Sequence, residues 1–315
     1  MSNLAQRIGT AVVAIPVIIW LCMTGGLPFA AFVIVISGVA LHEYFRLAAA
    51  KGARPLVFPG LIAGFFINIS FYHVKLRYWL TGLFDHAGVA IPFPSQSQLL
   101  IIILLITVVV LTLIELFRNG GSAILNLGTT LFGLLYIPLF FGTFIGIREV
   151  FLPEDFPVLR YFADASALHD PAVHAAIYRW GGYTVISVFA TIWICDTAAF
   201  HVGSAAGRHK LYPRVSPNKS WEGAIAGFIA ALLSAAAARA LVLPYLPLSG
   251  ALLIGAIVGT IGQLGDLAES LLKRDAGVKD SSSLIPGHGG AFDRFDSLLL
   301  VAPCVYLYLD YILFT

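Results

Sequence analysis

The residues most able to do chemistry are concentrated near the C-terminus, between Ser270 and Asp296. The segment holds four bases, four acids and one histidine, namely Lys273, Arg274, Lys279, Arg294, Asp275, Asp280, Asp293, Asp296 and His288. Carboxylates supply the hard oxygen ligands that divalent cations prefer, and Lys and Arg side chains bind phosphate. This combination predicts transfer at a phosphorus centre, where a protein mainly positions its reactants and neutralises charge.

A polar helix face leads into this segment. Four residues have the spacing i, i+3, i+4 and i+7, namely Asp266, Glu269, Ser270 and Lys273. Such spacing places all four on one side of a helix. An Asp with a hydroxyl one turn later suits a hard cation, whereas the alternative is a simple Glu269–Lys273 pair at i, i+4.

The same segment ends in "IPGHGGAFDRFDS", where glycines surround His288. Gly289 and Gly290 carry no side chain, so their backbone can approach a phosphate closely. Asp293 and Asp296 stand at the start of the last apolar stretch, and the alternative is that they only cap a helix. Capping does not call for a histidine between glycines, so the whole motif favours a ligand site.

A second group of polar residues lies upstream. Asp196 falls within an apolar stretch, where a carboxylate is expensive and usually faces a polar cavity. The alternative is a structural pair with Lys219. In "SPNKSWEG", the donors Ser216 and Ser220 flank Lys219 on a predicted turn at a helix N-terminus, which would suit a phosphate. The alternative here is that loops on the cytoplasmic side are basic in any case.

The elements that must hold these residues are membrane helices. Of the 315 residues 59% are hydrophobic and 11% are charged, and the mean hydropathy is +0.88. A crossing takes about 20 apolar residues, so we expect an all-α polytopic membrane protein with about nine spans. They fall near 8–25, 27–45, 55–73, 98–117, 123–147, 181–203, 223–246, 248–271 and 297–314. We divide the chain into helices and loops at 1–180 and a catalytic region at 181–315.

The distribution of Lys and Arg predicts the orientation of these spans. With the N-terminus in the cytoplasm, the alternating loops place 13 Lys and Arg residues inside and 5 outside. The positive-inside rule favours that arrangement. Both densest charged loops then lie on the cytoplasmic side. The net charge of +2 is too small to favour a nucleic-acid partner.

Other candidate ligands have simpler explanations. His169, Asp170 and His174 are expected in a solvated loop rather than around a metal. The three cysteines lie in apolar stretches without metal-ligand spacing, so we interpret them as buried small hydrophobic residues; they are Cys22, Cys195 and Cys304.

The segment from Ser270 to Asp296 resembles the C-terminal signature of the phosphatidate cytidylyltransferases, the CDP-diacylglycerol synthases. The similar positions run S-x-L-K-R, then K-D, then P-x-H-G-G, then D-R-F-D, and "CDTAAF" with "SPNKSWEG" is similar to an upstream motif of that family. The departures are mild: Ala291 replaces a larger aliphatic residue, Asn218 and Ser220 stand where Lys and Thr are common, and His201 replaces an aromatic residue.

The resemblance implies a reaction in which phosphatidate attacks the α-phosphorus of CTP, giving CDP-diacylglycerol and pyrophosphate with the help of Mg²⁺, and of a second cation in some schemes. It implies metal ligation by Asp266 and Asp293, with Asp196, Asp280 and Asp296 as ligands or supporting groups. Phosphate binding falls to Lys219, Lys273, Arg274, Lys279 and Arg294, and His288 would serve the leaving group or orient a loop. The resemblance also implies a homodimer in a bacterial inner membrane, with its active site facing the cytoplasm.

Among three other functions, the lipid kinase is the main alternative and the transporter the weaker one. A CTP-dependent polyprenol-type lipid kinase shares the nucleotide and differs in the acceptor. A CDP-alcohol phosphotransferase would need a D-G-x-x-A-R motif, which is absent. A transporter would spread ionisable residues near the bilayer midplane over both halves, whereas here they cluster in the C-terminal half.

Overall fold

The computed structural model describes residues 3–86, 93–153, 156–162, 165–284 and 289–314, and these are almost entirely helical. The first half contains α1 (Asn3–Thr24), α2 (Gly26–Ala50), α3 (Val57–Ser70), α4 (His73–His86), α5 (Gln96–Phe117), α6 (Ala123–Tyr136), α7 (Pro138–Glu149) and α8 (Val158–Tyr161). After a 3₁₀ turn at Ala165–His169 come α9 (Pro171–Ala206), strands β1 (Lys210–Tyr212) and β2 (Ser216–Ser220), α10 (Trp221–Leu241), α11 (Leu248–Ile257), α12 (Gln263–Asp275), α13 (Ala291–Arg294) and α14 (Asp296–Tyr308). Short π-helical turns at Val258–Gly262 and Leu309–Leu313 extend α11 and α14.

The protein is a multi-pass membrane protein. Within the described residues, seven helical segments are long and apolar enough to cross a membrane. An eighth span exists if α3 and α4 count as one, although the chain bends by 90° between them. All nine predicted stretches are helical, but the first contributes only a shorter apolar helix, Val12–Thr24. The predicted count of nine is therefore not confirmed.

The long helix α9 begins ten residues before the predicted start of its span. Asp170 caps it by accepting a hydrogen bond from the Ala172 amide at 2.8 Å, and Pro171 takes the first turn, where no amide hydrogen is needed. Asp170 thus has a local structural role. The helix runs through the boundary drawn at 180/181, so the two predicted regions share one continuous element.

Small residues bring α9 and α10 into close contact. A Cβ atom on Gly223 would lie 2.6 Å from the Ala199 carbonyl oxygen, and one on Gly227 would lie 3.0 Å from the Cys195 carbonyl oxygen. In a membrane, where helices do not gain from leaving water, such close backbone packing is a main source of association. It sets Asp196 of α9 beside the hairpin that precedes α10.

The crossing of α12 and α14 brings two acids together. Gly265 lies against the start of α14, because a Cβ atom there would meet the Asp296 carbonyl oxygen at 2.7 Å. The neighbouring residue in α12 is Asp266. The contact therefore brings Asp266 and Asp296, which are 30 positions apart in the sequence, to one place in the fold.

The two ends of the helix bundle separate the predicted inner and outer loops. At one end Lys51 forms an ion pair with Asp275 at 3.4 Å, and Arg118 donates to the Arg54 carbonyl oxygen at 2.7 Å. Other contacts lie at the opposite end of the bundle. There Arg148 donates to the Cys22 carbonyl oxygen at 3.1 Å, and Arg160 donates to the Leu313 carbonyl oxygen at 2.7 Å. The predicted alternation of loops matches these contacts, whereas the side of the membrane on which each end lies stays a prediction.

Candidate active site

A cavity of about 870 Å³ joins the two polar motifs of the sequence. Seven predicted site residues line it, namely Asp196, Lys219, Ser220, Asp266, Asp293, Arg294 and Asp296. They come from five elements, which are α9, β2, α12, α13 and α14. The fold therefore assembles carboxylates and bases that are as much as 100 residues apart.

Lys219 neutralises one acid among three. Its ammonium nitrogen lies 2.7 Å from Oδ2 of Asp266, rather than forming the pair with Asp196 that was the structural alternative. Asp196 and Asp296 both interact electrostatically with Asp266 and with Lys219. One lysine thus faces three carboxyl groups and forms an ion pair with only one of them, Asp266.

Asp293 is fixed more firmly than any of these. Its Oδ1 accepts from the Lys273 ammonium at 2.6 Å, and its Oδ2 accepts from the Ser281 amide at 2.9 Å, the Ser281 hydroxyl at 2.7 Å and the Gly290 amide at 2.7 Å. Burial alone would raise the pKa of the Asp293 carboxyl, but hydrogen bonds from Glu269, which donates as a carboxylic acid, and from Lys273, Gly290 and Ser281 outweigh burial and hold the pKa below its ordinary value. Asp293 is therefore an ionised group held in one orientation.

The predicted polar face of α12 is confirmed. Glu269, Ser270 and Lys273 are buried, and the Lys273 ammonium lies 2.7 Å from Oε2 of Glu269, which is the i, i+4 pair considered above. The Ser270 hydroxyl approaches Oδ1 of Asp266 at 3.4 Å. Lys273 bridges Glu269 and Asp293, so it supports the cavity wall from behind.

The hairpin β1–β2 corrects the predicted turn. Ser216–Ser220 is the second strand of an antiparallel pair, and the helix starts directly after it at Trp221. Ser220 caps α10 by accepting from the Gly223 amide at 3.2 Å. Because the hydroxyl oxygen accepts this bond, its proton can be donated to a ligand in the cavity.

Other predicted site residues are not part of the cavity lining. Lys279 and Asp280 are exposed, and Arg274 donates to the Val278 carbonyl oxygen at 2.9 Å. Ser216, Gly289 and Gly290 also lie off the lining. His288 and Gly287 lie outside the described residues. A role for any of these residues toward phosphate stays a prediction.

The two described glycines have a structural reason to lack side chains. Gly289 has a φ of +81°, and a Cβ atom there would lie 2.8 Å from Oδ2 of Asp293. On Gly290 a Cβ atom would overlap the Ser281 hydroxyl and lie 2.5 Å from both carboxylate oxygens of Glu43. In this structure the atoms that approach these glycines closely belong to the protein itself.

Glu43 is the residue that the sequence analysis missed. It lies on α2, is only 3% exposed, and accepts hydrogen bonds from the loop that carries Asp293. The available signal was an ionisable residue near the end of an apolar span, which usually has a function. It was overlooked because the other chemical residues lie after position 195.

The cavity has the donor chemistry for Mg²⁺, which prefers carboxylate oxygens. Four Asp side chains line it, and three of them share one lysine. Asp293 is held at Oδ1 by one donor, and a carboxylate oxygen has a second lone pair. Within the described part of the chain, however, no three His, Cys, Asp or Glu side chains already form a metal-binding group. A cation would therefore have to draw these carboxylates together.

Comparison with known proteins shows the family of the chain. A model of the cytidylyltransferase family matches residues 5–312. The chain is 33% identical over 315 residues to the phosphatidate cytidylyltransferase of Synechocystis sp., covering 96% of this chain and 95% of that protein. It is 31% identical over 309 residues to the phosphatidate cytidylyltransferase of Bacillus subtilis, covering 98% of each chain. With a family match along nearly the whole sequence and full-length relatives above 30% identity, the chain belongs to the cytidylyltransferase family of nucleotidyl-transferring enzymes.

Proposed function

We propose that this enzyme transfers the cytidylyl group of CTP to phosphatidate. A phosphate oxygen of phosphatidate forms a bond to the α-phosphorus of CTP, the bond from that phosphorus to the bridging oxygen breaks, and pyrophosphate leaves. The observation that carries the proposal is the cavity in which carboxylates, Lys219, Arg294 and an apolar wall meet. Two relatives that match nearly the full length of the chain are named phosphatidate cytidylyltransferase, which is this activity.

The nucleotide side of the cavity is polar. Lys219, Ser220 and Asn218 come from the hairpin and Arg294 from α13. A guanidinium can bind two phosphate oxygens at once, and an ammonium acts as a compact positive charge. These groups would hold the triphosphate and stabilise the departing pyrophosphate. No strong base is required, because a phosphate monoester is already largely ionised at neutral pH, so positioning is the main device.

The lipid side of the same cavity is apolar. Phe189, Ile192, Trp193 and Phe200 line it from α9, and Leu298 lines it from α14. Trp193 is 40% exposed and Phe200 is 68% exposed, as expected for side chains that face lipid. A phosphatidate molecule could therefore keep its acyl chains against this wall while its phosphate reaches the carboxylate cluster.

The carboxylates are the proposed ligands of Mg²⁺. Asp196, Asp266, Asp293 and Asp296 line the cavity and would hold the ion, and a second cation could share the same oxygens. When bound, Mg²⁺ would neutralise charge on the reacting phosphates. Asp280 is exposed and lies off the lining, so we do not include it among the ligands.

We place the cavity at the cytoplasmic face of a bacterial inner membrane, in a homodimer. The excess of Lys and Arg in the loops at that end supports the orientation. CTP is a cytoplasmic metabolite, and the relatives are bacterial. The dimer rests on the family resemblance.

The proposal is tested with purified protein in detergent, supplied with labelled CTP, phosphatidate and Mg²⁺. We expect pyrophosphate and labelled CDP-diacylglycerol in equal amounts. A polyprenol kinase would instead release CDP and phosphorylate a polyprenol, so both acceptors are assayed. Release of CDP without pyrophosphate would refute the proposal.

Asp266→Asn tests the carboxylate cluster in the same assay. Removing a proposed ligand should lower turnover by more than about 10- to 100-fold, the range seen when a metal site loses only a group that supports a ligand. Asp275→Asn is the matched control, because Asp275 lies on the same helix, is 64% exposed and is paired with Lys51 off the cavity lining. Equal activity of the two variants would remove Asp266 from the site.

A further inference from the structure

Glu43 binds the signature segment from the other half of the chain. It lies in α2, almost 250 residues before Asp293, and its side chain is buried. Oε1 accepts hydrogen bonds from the Ser282 hydroxyl at 2.5 Å and the Ala291 amide at 3.2 Å. Oε2 accepts from the Phe292 amide at 2.8 Å and, at 3.1 Å, shares with Asp293 the single proton of the Ser281 hydroxyl. Both carboxylate oxygens are thus committed to one loop.

These four donors explain how a carboxylate can be buried there. A buried charge is costly unless hydrogen bonds replace its hydration. Within the described residues, no Lys or Arg side chain forms an ion pair with Glu43. Neutral donors from the described part of the loop replace hydration of the carboxylate, so Glu43 and the loop stabilise one another.

Glu43 is linked to Asp293 through a shared residue. The Ser281 hydroxyl contacts Oε2 of Glu43 at 3.1 Å and Oδ2 of Asp293 at 2.7 Å. Glu43 also fixes the amides of Ala291 and Phe292, which directly precede Asp293. The orientation of the Asp293 carboxylate in the cavity therefore depends on Glu43 from two directions.

We infer that Glu43 is a positioning residue for the reaction, and that it acts by holding Ser281 and the start of α13 so that Asp293 faces the cavity. This inference rests on the proposed function, since Asp293 matters to catalysis only if the cavity is the active site. Glu43 itself is not among the residues that line the cavity. It acts through Asp293, and it makes α2 part of the catalytic apparatus.

Glu43→Gln tests the inference with almost no change in shape. An amide has one acceptor and one donor end, so two of the four loop donors would face an NH₂ group. We expect kcat to fall by about 10- to 100-fold, as for other residues that support a ligand. The KM for CTP should change by less than about threefold, since Lys219 and Arg294 remain in place.

Glu115→Gln is the control for simple destabilisation. Glu115 is a buried glutamate of α5 and is 4% exposed. It accepts a hydrogen bond from the side-chain amide of Asn126 at 2.7 Å and lies off the cavity lining. The Glu115→Gln substitution should lower thermal stability in detergent without lowering kcat. If Glu43→Gln keeps its kcat, or if both variants lose kcat in proportion to stability, the inference is overturned.

Hydrogen exchange separates this inference from the proposed function. In Glu43→Gln the Ala291 and Phe292 amides should exchange faster than in the unchanged protein, whereas they should be unaffected in Glu115→Gln. If the unchanged protein releases no pyrophosphate, the proposed function fails, and exchange still decides whether Glu43 holds the loop. Unaltered protection of both amides in Glu43→Gln would overturn the inference in either case.

Discussion

At the scale of single residues, the position of Lys273 between Glu269 and Asp293 shows why burial decides what an ion pair contributes. The ammonium lies 2.7 Å from Oε2 of Glu269 and 2.6 Å from Oδ1 of Asp293, and its side chain is only 11% exposed. Buried pairs gain little overall because both partners lose hydration, but removing one partner leaves an uncompensated charge. Lys273 is thus needed for the integrity of the cavity wall whether or not it meets phosphate.

Lys273→Met should therefore destabilise the protein by about 3–5 kcal/mol, the range for breaking a buried pair. Lys51→Met is the control, because the Lys51–Asp275 pair is exposed and such pairs contribute about 0–1 kcal/mol. Chemical denaturation in detergent, followed by circular dichroism, measures both. Equal losses would show that burial around Lys273 does not matter as argued.

Much of the site was predictable at this scale, because its residues have unusual types for their surroundings. Asp196 and Asp266 stand in or beside apolar runs, and both line the cavity as expected. The partner of Lys219 was not predictable, since the sequence does not say which of several acids lies nearest. Glu43 was missed because its donors are serine hydroxyls and backbone amides, which leave no charge pattern.

At the scale of elements, glycines determine how closely helices carrying the site approach one another. Gly265 of α12 contacts the backbone of α14 at Asp296, beside the carboxylate cluster. No flexible side chain could move aside there, because the nearest atoms are main-chain atoms. A small change in this contact would shift two acids relative to one another.

Gly265→Ala should separate α12 from α14, since the added Cβ would lie 2.7 Å from the Asp296 carbonyl oxygen. Overpacking of this kind costs about 1–3 kcal/mol, and we expect turnover to fall with it. In Gly128→Ala the new Cβ meets nothing within 4 Å, so helix propensity should leave stability unchanged or raise it by up to about 1 kcal/mol. Thermal stability and turnover of both variants check this, and full turnover by Gly265→Ala would contradict it.

The apolar pattern predicted which stretches are helical but not how each one runs. The span predicted at 55–73 ends where α3 turns by 90° into α4, and the residues at the break, Phe71 and Tyr72, include neither Gly nor Pro to mark it. The start of α9 was placed too late because the span was drawn from the residue after Arg179 and Trp180, whereas the helix already begins at the Asp170 cap. The strand at Ser216–Ser220 was predicted as a turn because Pro217 suggests one, whereas pairing with β1 fixes an extended backbone.

At the scale of the whole molecule, the contacts sort the loops into two sets at opposite ends. The helix α9, with 36 residues, is about 54 Å long and exceeds the roughly 30 Å of bilayer hydrocarbon. Its Pro171 end and the hairpin after its C-terminus therefore lie in different aqueous compartments. The cavity, next to the hairpin, is accessible from only one of them.

Single cysteines test which compartment that is. Val278→Cys, after α12, should react with a membrane-impermeant maleimide only from the cytoplasmic side, and Ala172→Cys, at the start of α9, only from the other. Both positions are exposed, and the native Cys22 and Cys195 are buried, which keeps their background low. Cys304 is partly exposed, contrary to its interpretation as a buried residue, and is therefore replaced by alanine in both variants. The reverse labelling pattern would place the cavity away from cytoplasmic CTP and would contradict the proposed orientation.

The hydrogen bonds from Ser281 and Phe292 to Glu43 have a consequence for biosynthesis. Because chains are made from the N-terminus, α2 enters the bilayer while its carboxylate has no partner, about 240 residues before those partners leave the ribosome. Inserting a charge at the centre of a span costs about 2.5–3.5 kcal/mol, so the cost for Glu43, near the end of α2, is at most of that order and must be offset by the apolar remainder of the helix. Nascent chains that end before this loop should thus be inserted in the membrane but inactive. The active site would form late in synthesis, when the loop and α13 pack against α2.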